Sequence, residues 1–136
     1  MVSARKAAFV SGVSIGALLV FVEPLSTRVL GALLVGAFFV WLWQPSTEKE
    51  RRGENVARLG IIAGLVFGVA RQFLLLVLII VGAMEPTSHE ELYAFEQEWG
   101  YNYYTFNILF DVFGGAALAA VSAFFAVGFV DPNDAA

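Results

Sequence analysis

Four long apolar runs, separated by short polar stretches, divide the chain. The first extends from Ala7 to Val22 between Lys6 and Glu23. The second extends from Leu25 to Gln44, where Trp41 and Trp43 close it as aromatics do at a membrane–water boundary. The third runs from Leu59 to Met84 with only Arg71 and Gln72 inside it, and the last reaches Val130 with Asp111 near its start. A bilayer core about 30 Å thick takes about 20 predominantly apolar residues in a helix. The pattern therefore predicts an all-α membrane protein: a four-transmembrane-helix bundle, 1–136 forming one membrane domain, with helices at 7–22, 25–44, 59–84 and 104–130.

The polar stretches refine this picture. Residues 45–58 alternate in sign through Glu48, Lys49, Glu50, Arg51, Arg52, Glu54 and Arg58, the signature of a solvated cytoplasmic loop or a short surface helix. Residues 85–103 are acidic and aromatic. Ser88 followed by Glu91 is a capping-box spacing, and Leu92, Phe95 and Trp99 fall on one helical face. That combination predicts a short amphipathic helix on the outer membrane surface, continued by Tyr101, Tyr103 and Tyr104 as an aromatic belt. Arg5 and Lys6 precede the first run as in a signal peptide, but Phe21-Val22-Glu23-Pro24 offers no small-residue cleavage site, so a retained helix is expected.

Charge sets the orientation. With four crossings, Arg5, Lys6, Lys49, Arg51, Arg52 and Arg58 fall on one side and Arg28 alone on the other. The positive-inside rule then places both termini and 45–58 in the cytoplasm of a multi-pass cell-membrane protein, with 85–103 outside. Composition agrees: 59% of residues are hydrophobic and 15% charged, against about 25% charged in ordinary soluble domains, and the mean hydropathy is +0.74. The net charge of -4 supplies no basic surface for nucleic acid. The absence of cysteine excludes disulfides and thiolate metal sites. Acids outnumber bases and arginine outnumbers lysine, a bias shared with proteins of salt-loving archaea and pointing to a prokaryotic source.

Small residues at four-residue spacing are the clearest packing signal. Gly12 and Gly16, then Gly60, Gly64 and Gly68, then Gly115, Ala119 and Ala123 each share a helical face. Lipid tails are as apolar as leucine, so membrane helices associate through close backbone approach, which small residues permit. Most of these stripes are expected to pack within the monomer, leaving one for a homo-oligomer or membrane-protein partner.

Two charges stand inside the apolar runs. Arg71 lies about 20 Å from either end of the third run by helical rise, where an arginine costs about 2.5–3.5 kcal/mol on insertion scales. It shares the face of Gly64 and Gly68, so it is expected to point into the bundle, with Gln72 beside it. Asp111 shares the face of Gly115, Ala119 and Ala123 and is its natural partner, at a depth that depends on where the last helix begins. The chain carries no HExxH, GxSxG, phosphate-binding glycine loop or nucleotide fingerprint. Catalytic, cofactor and metal sites are accordingly not expected. His89, among acidic residues, reads as part of a solvated helix. The expectation is a non-enzymatic assembly, scaffold or complex subunit in the lipid bilayer. The alternative is a small transporter or channel for an ion, proton or anion that uses Arg71 with Asp111.

Topology can be read directly in this cysteine-free chain. Single cysteines at Asn55, Glu91 and Asp134 should react with a membrane-impermeant thiol reagent from inside, outside and inside, respectively. Any other pattern removes the orientation.

Overall fold

The computed structural model describes residues 3–21, 25–83, 85, 88–100 and 103–130. Glu23, Met84, Tyr101, Asn102 and the polar stop at 131–134 lie outside the described residues, as do the side chains of His89, Trp99, Tyr103 and Tyr104.

The described residues are helical apart from short turns. The order is α1 (Ala4–Leu18), α2 (Leu25–Trp43), α3 (Gly53–Ile80), α4 (His89–Trp99), α5 (Tyr103–Leu109), a π-helical turn (Phe110–Gly114), α6 (Gly115–Ala126) and a closing 3-10 turn (Val127–Phe129). Ser3 opens α1 by accepting the Lys6 backbone N–H at 3.3 Å. Ser88 opens α4 by accepting that of Glu91 at 3.3 Å, and Gly100, with φ 73°, ends α4 in the left-handed conformation that glycine adopts without a steric penalty.

Among the described residues, three stretches are long and apolar enough to cross a membrane: Ser26–Trp43, Gly53–Ile80 and Thr105–Phe129. With 15 residues, α1 is about 22 Å long, short of a hydrocarbon core about 30 Å thick. The four spans expected from the sequence thus resolve into three candidate spans and one shorter helix. Apolar side chains also cover the outside: Phe73, Ile80, Phe125 and Phe129 are all exposed. Helices apolar all round belong to a membrane or to the interior of a much larger protein.

The polar stretch expected as a loop or a separate surface helix is partly taken into α3, which begins at Gly53 rather than Leu59. Glu54 sits in its first turn, where a negative charge meets the positive end of the helix dipole. Asn55 donates to the Glu50 carbonyl at 3.2 Å and accepts from Arg58 at 3.1 Å, fixing the approach. Ahead of it, Thr47 and Glu50 bond reciprocally: Thr47 N–H and Oγ1–H donate to Glu50 Oε1 at 3.2 and 2.9 Å, and Glu50 N–H donates to Thr47 Oγ1 at 3.1 Å. Those donors hold the Glu50 carboxyl below its ordinary pKa, the Thr47 backbone N–H contributing most. Arg51 then ties this segment to the end of the chain's last helix, donating to the carbonyls of Val127 at 2.8 Å and Pro45 at 3.1 Å.

In cross-section α1 packs on α2 and α3, α6 packs on α2 and α3 from the other side, and α2 touches α3 between them. Phe39, Phe67, Val35, Val40 and Val56 fill the centre. Small residues set the spacing. A Cβ at Gly12 would stand 2.8 Å from the Ala63 carbonyl of α3, and one at Gly16 would stand 3.0 Å from that of Phe67. On the neighbouring face of α3, a Cβ at Gly60, Gly64 or Gly68 would press into the backbone of Ala119, Gly115 or Asp111. Gly115, Ala119 and Ala123 are buried in that seam. All three small-residue stripes are therefore used inside the monomer, including the one that the sequence reading leaves for a partner.

Gly64→Ala should force α3 and α6 apart at a backbone contact, at a cost of about 1–3 kcal/mol for an overpacked interior. Gly128→Ala, which meets nothing within 4 Å, should be neutral. Thermal unfolding midpoints in detergent check the pair, and equal midpoints would contradict the seam.

Candidate functional site

The two charges singled out in the apolar runs meet, and a third joins them. Arg71 Nη1 donates to Asp111 Oδ2 at 2.5 Å, and Arg28 Nη1 donates to Asp111 Oδ1 at 3.2 Å. Gln72 Nε2 donates to the same Oδ2 at 2.5 Å. Arg28 Nη1 also donates to Asn107 Oδ1 at 2.7 Å, and its guanidinium lies 5.5 Å from the centre of the Phe110 ring, within range of a cation–π attraction. Asp111 is 1% exposed, Arg71 3% and Arg28 6%, so the cluster is closed off from its surroundings.

Each side chain is delivered by a feature of its helix. Arg71 extends the buried face of α3 that contains Gly60, Gly64, Phe67 and Gly68. The glycines below it let the π-helical turn approach closely enough for a short ion pair. Arg28 extends the buried face of α2, which continues through Ala32, Val35, Phe39, Val40 and Trp43. Asp111 sits in the π-helical turn. The spacing of the last helix explains that turn. Asn107, Asp111, Gly115, Ala119 and Ala123 recur every four residues, and in a regular helix each such step overruns a full turn by about 40°. Across the whole series the stripe would wander well off one face. A wider i→i+5 turn takes up part of the overrun, so Asn107 and Asp111 reach the cluster while Ala119 and Ala123 still face α2 and α3.

Arg71 also donates from Nε to the Leu19 carbonyl at 3.0 Å, just past the end of α1. The last carbonyls of a helix have no intrahelical donor. Arg71 thus binds the end of α1 and the carboxylate of Asp111 at once. The cluster ties together α1, α2, α3 and the π-helical turn.

Of the other polar residues near the spans, Ser11 bonds its own helix, donating to the Ala8 carbonyl at 3.1 Å. Ser122 reaches across to the Leu33 carbonyl of α2 at 2.5 Å. At the opposite end of the molecule, Lys49, Arg52, Glu54, Asn55 and Arg58 line an open cleft of about 200 Å³ that does not touch the cluster. Arg28 is the residue that sequence reasoning misplaces: the charge pattern puts it at the outer turn of the first hairpin, and it is buried. The signal is its register, since it falls in step with the buried positions of α2.

Two guanidiniums sharing one carboxylate attract it and repel each other, so the arrangement depends on Asp111 ionised and present. Both carboxylate oxygens of Asp111 accept from these side chains. What the arrangement can do is hold helices together. The chain matches no protein-family model, no curated protein and no solved structure.

Asp111→Asn should be the most damaging single change in the cluster, at about 3–5 kcal/mol for a buried pair broken from one side. The double reversal Arg71→Asp with Asp111→Arg should rescue poorly, because the guanidinium introduced in place of the carboxylate would face Arg28. Adding Arg28→Gln should improve the yield of folded protein over the double variant. Full rescue by the double variant alone would show that Arg28 does not share the carboxylate.

Proposed function

We propose that this protein is a non-enzymatic subunit or scaffold of the cell membrane, with both termini and the segment between α2 and α3 on the cytoplasmic side. The observation that supports this reading is the closed state of the charge cluster. Asp111 is spent on Arg28, Arg71 and Gln72. Immediately beneath it, α3 and α6 meet backbone to backbone along Gly64 and Gly60. A conduit for ions needs polar groups that exchange partners and a path on both sides of them. Here the polar groups are committed and one side is sealed by a glycine seam. The acidic helix α4, which carries Glu90, Glu91, Glu96 and Glu98 and leaves Tyr93 66% exposed, is the surface offered to a partner.

A small transporter or channel using Arg71 with Asp111 is the second reading. It is favoured by the π-helical turn at Asp111, because such turns occur frequently at functional sites and can shift along a helix.

Flux separates the two. Reconstituted vesicles should pass protons, sodium and chloride no faster than empty ones, and Arg71→Gln should leave that unchanged. Flux above background that disappears in Arg71→Gln would establish transport. A photocrosslinker at Tyr93 in native membranes should give one discrete adduct, and its absence would remove α4 as the docking element.

A further inference from the structure

Arg5, Lys6, Lys49, Arg52 and Arg58 are exposed, and all stand at one end of the molecule. Their depth follows from helix geometry. From Arg58 to Ile80, where α3 ends, the axis rises about 33 Å, against a hydrocarbon core about 30 Å thick. With the apolar stretch of α3 in hydrocarbon, Arg58 therefore stands in the headgroup layer. The first helix, α1, runs parallel to α3 in register, since Gly12 faces Ala63 and Gly16 faces Phe67. Seven residues back along both helices, Arg5 stands level with Val56, in the same layer. Trp41, in the last turn of α2 at this end of the bundle, is 61% exposed, as an aromatic at such a boundary is.

Three of these cations share a cavity. Lys49, Arg52 and Arg58 line, with Glu54 and Asn55, the open cleft of about 200 Å³. Lys49 and Arg52 come from the segment before α3, and Arg58 from its second turn. Asn55 holds the guanidinium of Arg58: it accepts from Nη2 at 3.1 Å while donating to the Glu50 carbonyl at 3.2 Å. A guanidinium has five N–H donors in a planar fork, so this bond orients Arg58 without exhausting it. Three positive side chains against the one carboxylate of Glu54 favour an anion, and the arginine fork matches phosphate oxygens. The cleft is smaller than the about 300–1,000 Å³ of pockets that enclose a drug-sized ligand, so it suits a headgroup and not a whole nucleotide.

Apolar surface leads away from it. On the same helical face as Arg58, three and four residues on, come Ile61 and Ile62, each 41% exposed, and the stripe continues through the exposed Val69 and Phe73. A cationic cleft whose wall runs into an exposed aliphatic stripe matches a molecule with a charged head and apolar tails.

We propose that this cleft binds an anionic membrane lipid. The phosphodiester is held by Arg52 and Arg58 with Lys49 beside them, and the acyl chains lie along Ile61 and Ile62. The lipid thereby joins the segment between α2 and α3 to the outer wall of α3. Arg5 and Lys6 lie at the same depth outside the cleft and supply only the diffuse attraction of a basic end for an anionic surface. The inference rests on the reading of the chain as a membrane protein.

Spin-labelled lipids test it, in phosphatidylcholine vesicles that contain the full chain. Lipid held against protein is motionally restricted, and its fraction is read from the spectrum. The chain should restrict labelled phosphatidylglycerol severalfold more strongly than labelled phosphatidylcholine. Arg52→Gln with Arg58→Gln should bring this preference close to unity. Arg5→Gln with Lys6→Gln, which removes the same charge at the same depth, should leave most of it. All four side chains are exposed, so the interior is undisturbed, and the preference, a ratio taken on one preparation, does not depend on how much protein is inserted. An excess of inorganic phosphate at constant ionic strength should leave it intact. Equal loss in the two double variants would mean diffuse attraction, and displacement by inorganic phosphate would mean a site for the free anion. Either result overturns the proposal, as does a native chain without the preference. A chain that restricts neither lipid would instead overturn the membrane reading itself.

Discussion

The carboxylate of Asp111 holds this fold in register. It accepts from Arg71, which is 40 residues away in sequence, and from Arg28, 83 residues away. Its removal would break a buried ion pair to each arginine, a loss of several kcal/mol. Through Arg71 the same carboxylate is connected to the end of α1. One side chain therefore fixes how far each of the surrounding helices slides along the others. Apolar packing alone specifies this weakly, since one leucine-lined face slides past another at little cost.

Close packing makes the clamp possible. The bonds to Asp111 form because α3 and the last helix approach until their backbones touch, and that approach exists because Gly60, Gly64 and Gly68 face Gly115, Ala119 and the Asp111 backbone. The seam and the cluster are thus parts of one interface, backbone to backbone below and ionic above. Arg51 works similarly at the cytoplasmic end proposed here, where it joins the inter-helix segment to the Val127 carbonyl.

Much of this is legible in the sequence, and the remainder is hidden for identifiable reasons. The apolar runs locate the long helices, and steps of four locate the faces by which they pack, because both follow from helix geometry alone. The face shared by Arg71 and Gly68 points the arginine inward. The burial of Asp111 is undetermined at that level, since it turns on a helix boundary that 19 uncharged residues after it leave free. The four-residue recurrence from Asn107 to Ala123 contains the answer: a regular helix cannot keep that series on one face, so a wider turn is required. Arg28 is misplaced because a charge beside a predicted turn is ordinarily solvated. Only its register with Ala32, Val35 and Phe39 argues otherwise. The ends of α1 lie three to four residues earlier than expected, because an apolar run records what a segment tolerates and not where its helix starts and stops.

The order of synthesis gives the cluster a further meaning. A ribosome releases Arg28 long before Asp111 exists, and Arg71 also precedes its counter-ion. The first hairpin and α3 are therefore made before the contact with Asp111 that joins their arginines can form. Until the helix that carries Asp111 is made, the bonds that join α2 and α3 to it are absent. Synthesis of the segment that carries Asp111 is then the step at which α2, α3 and this helix can lock together.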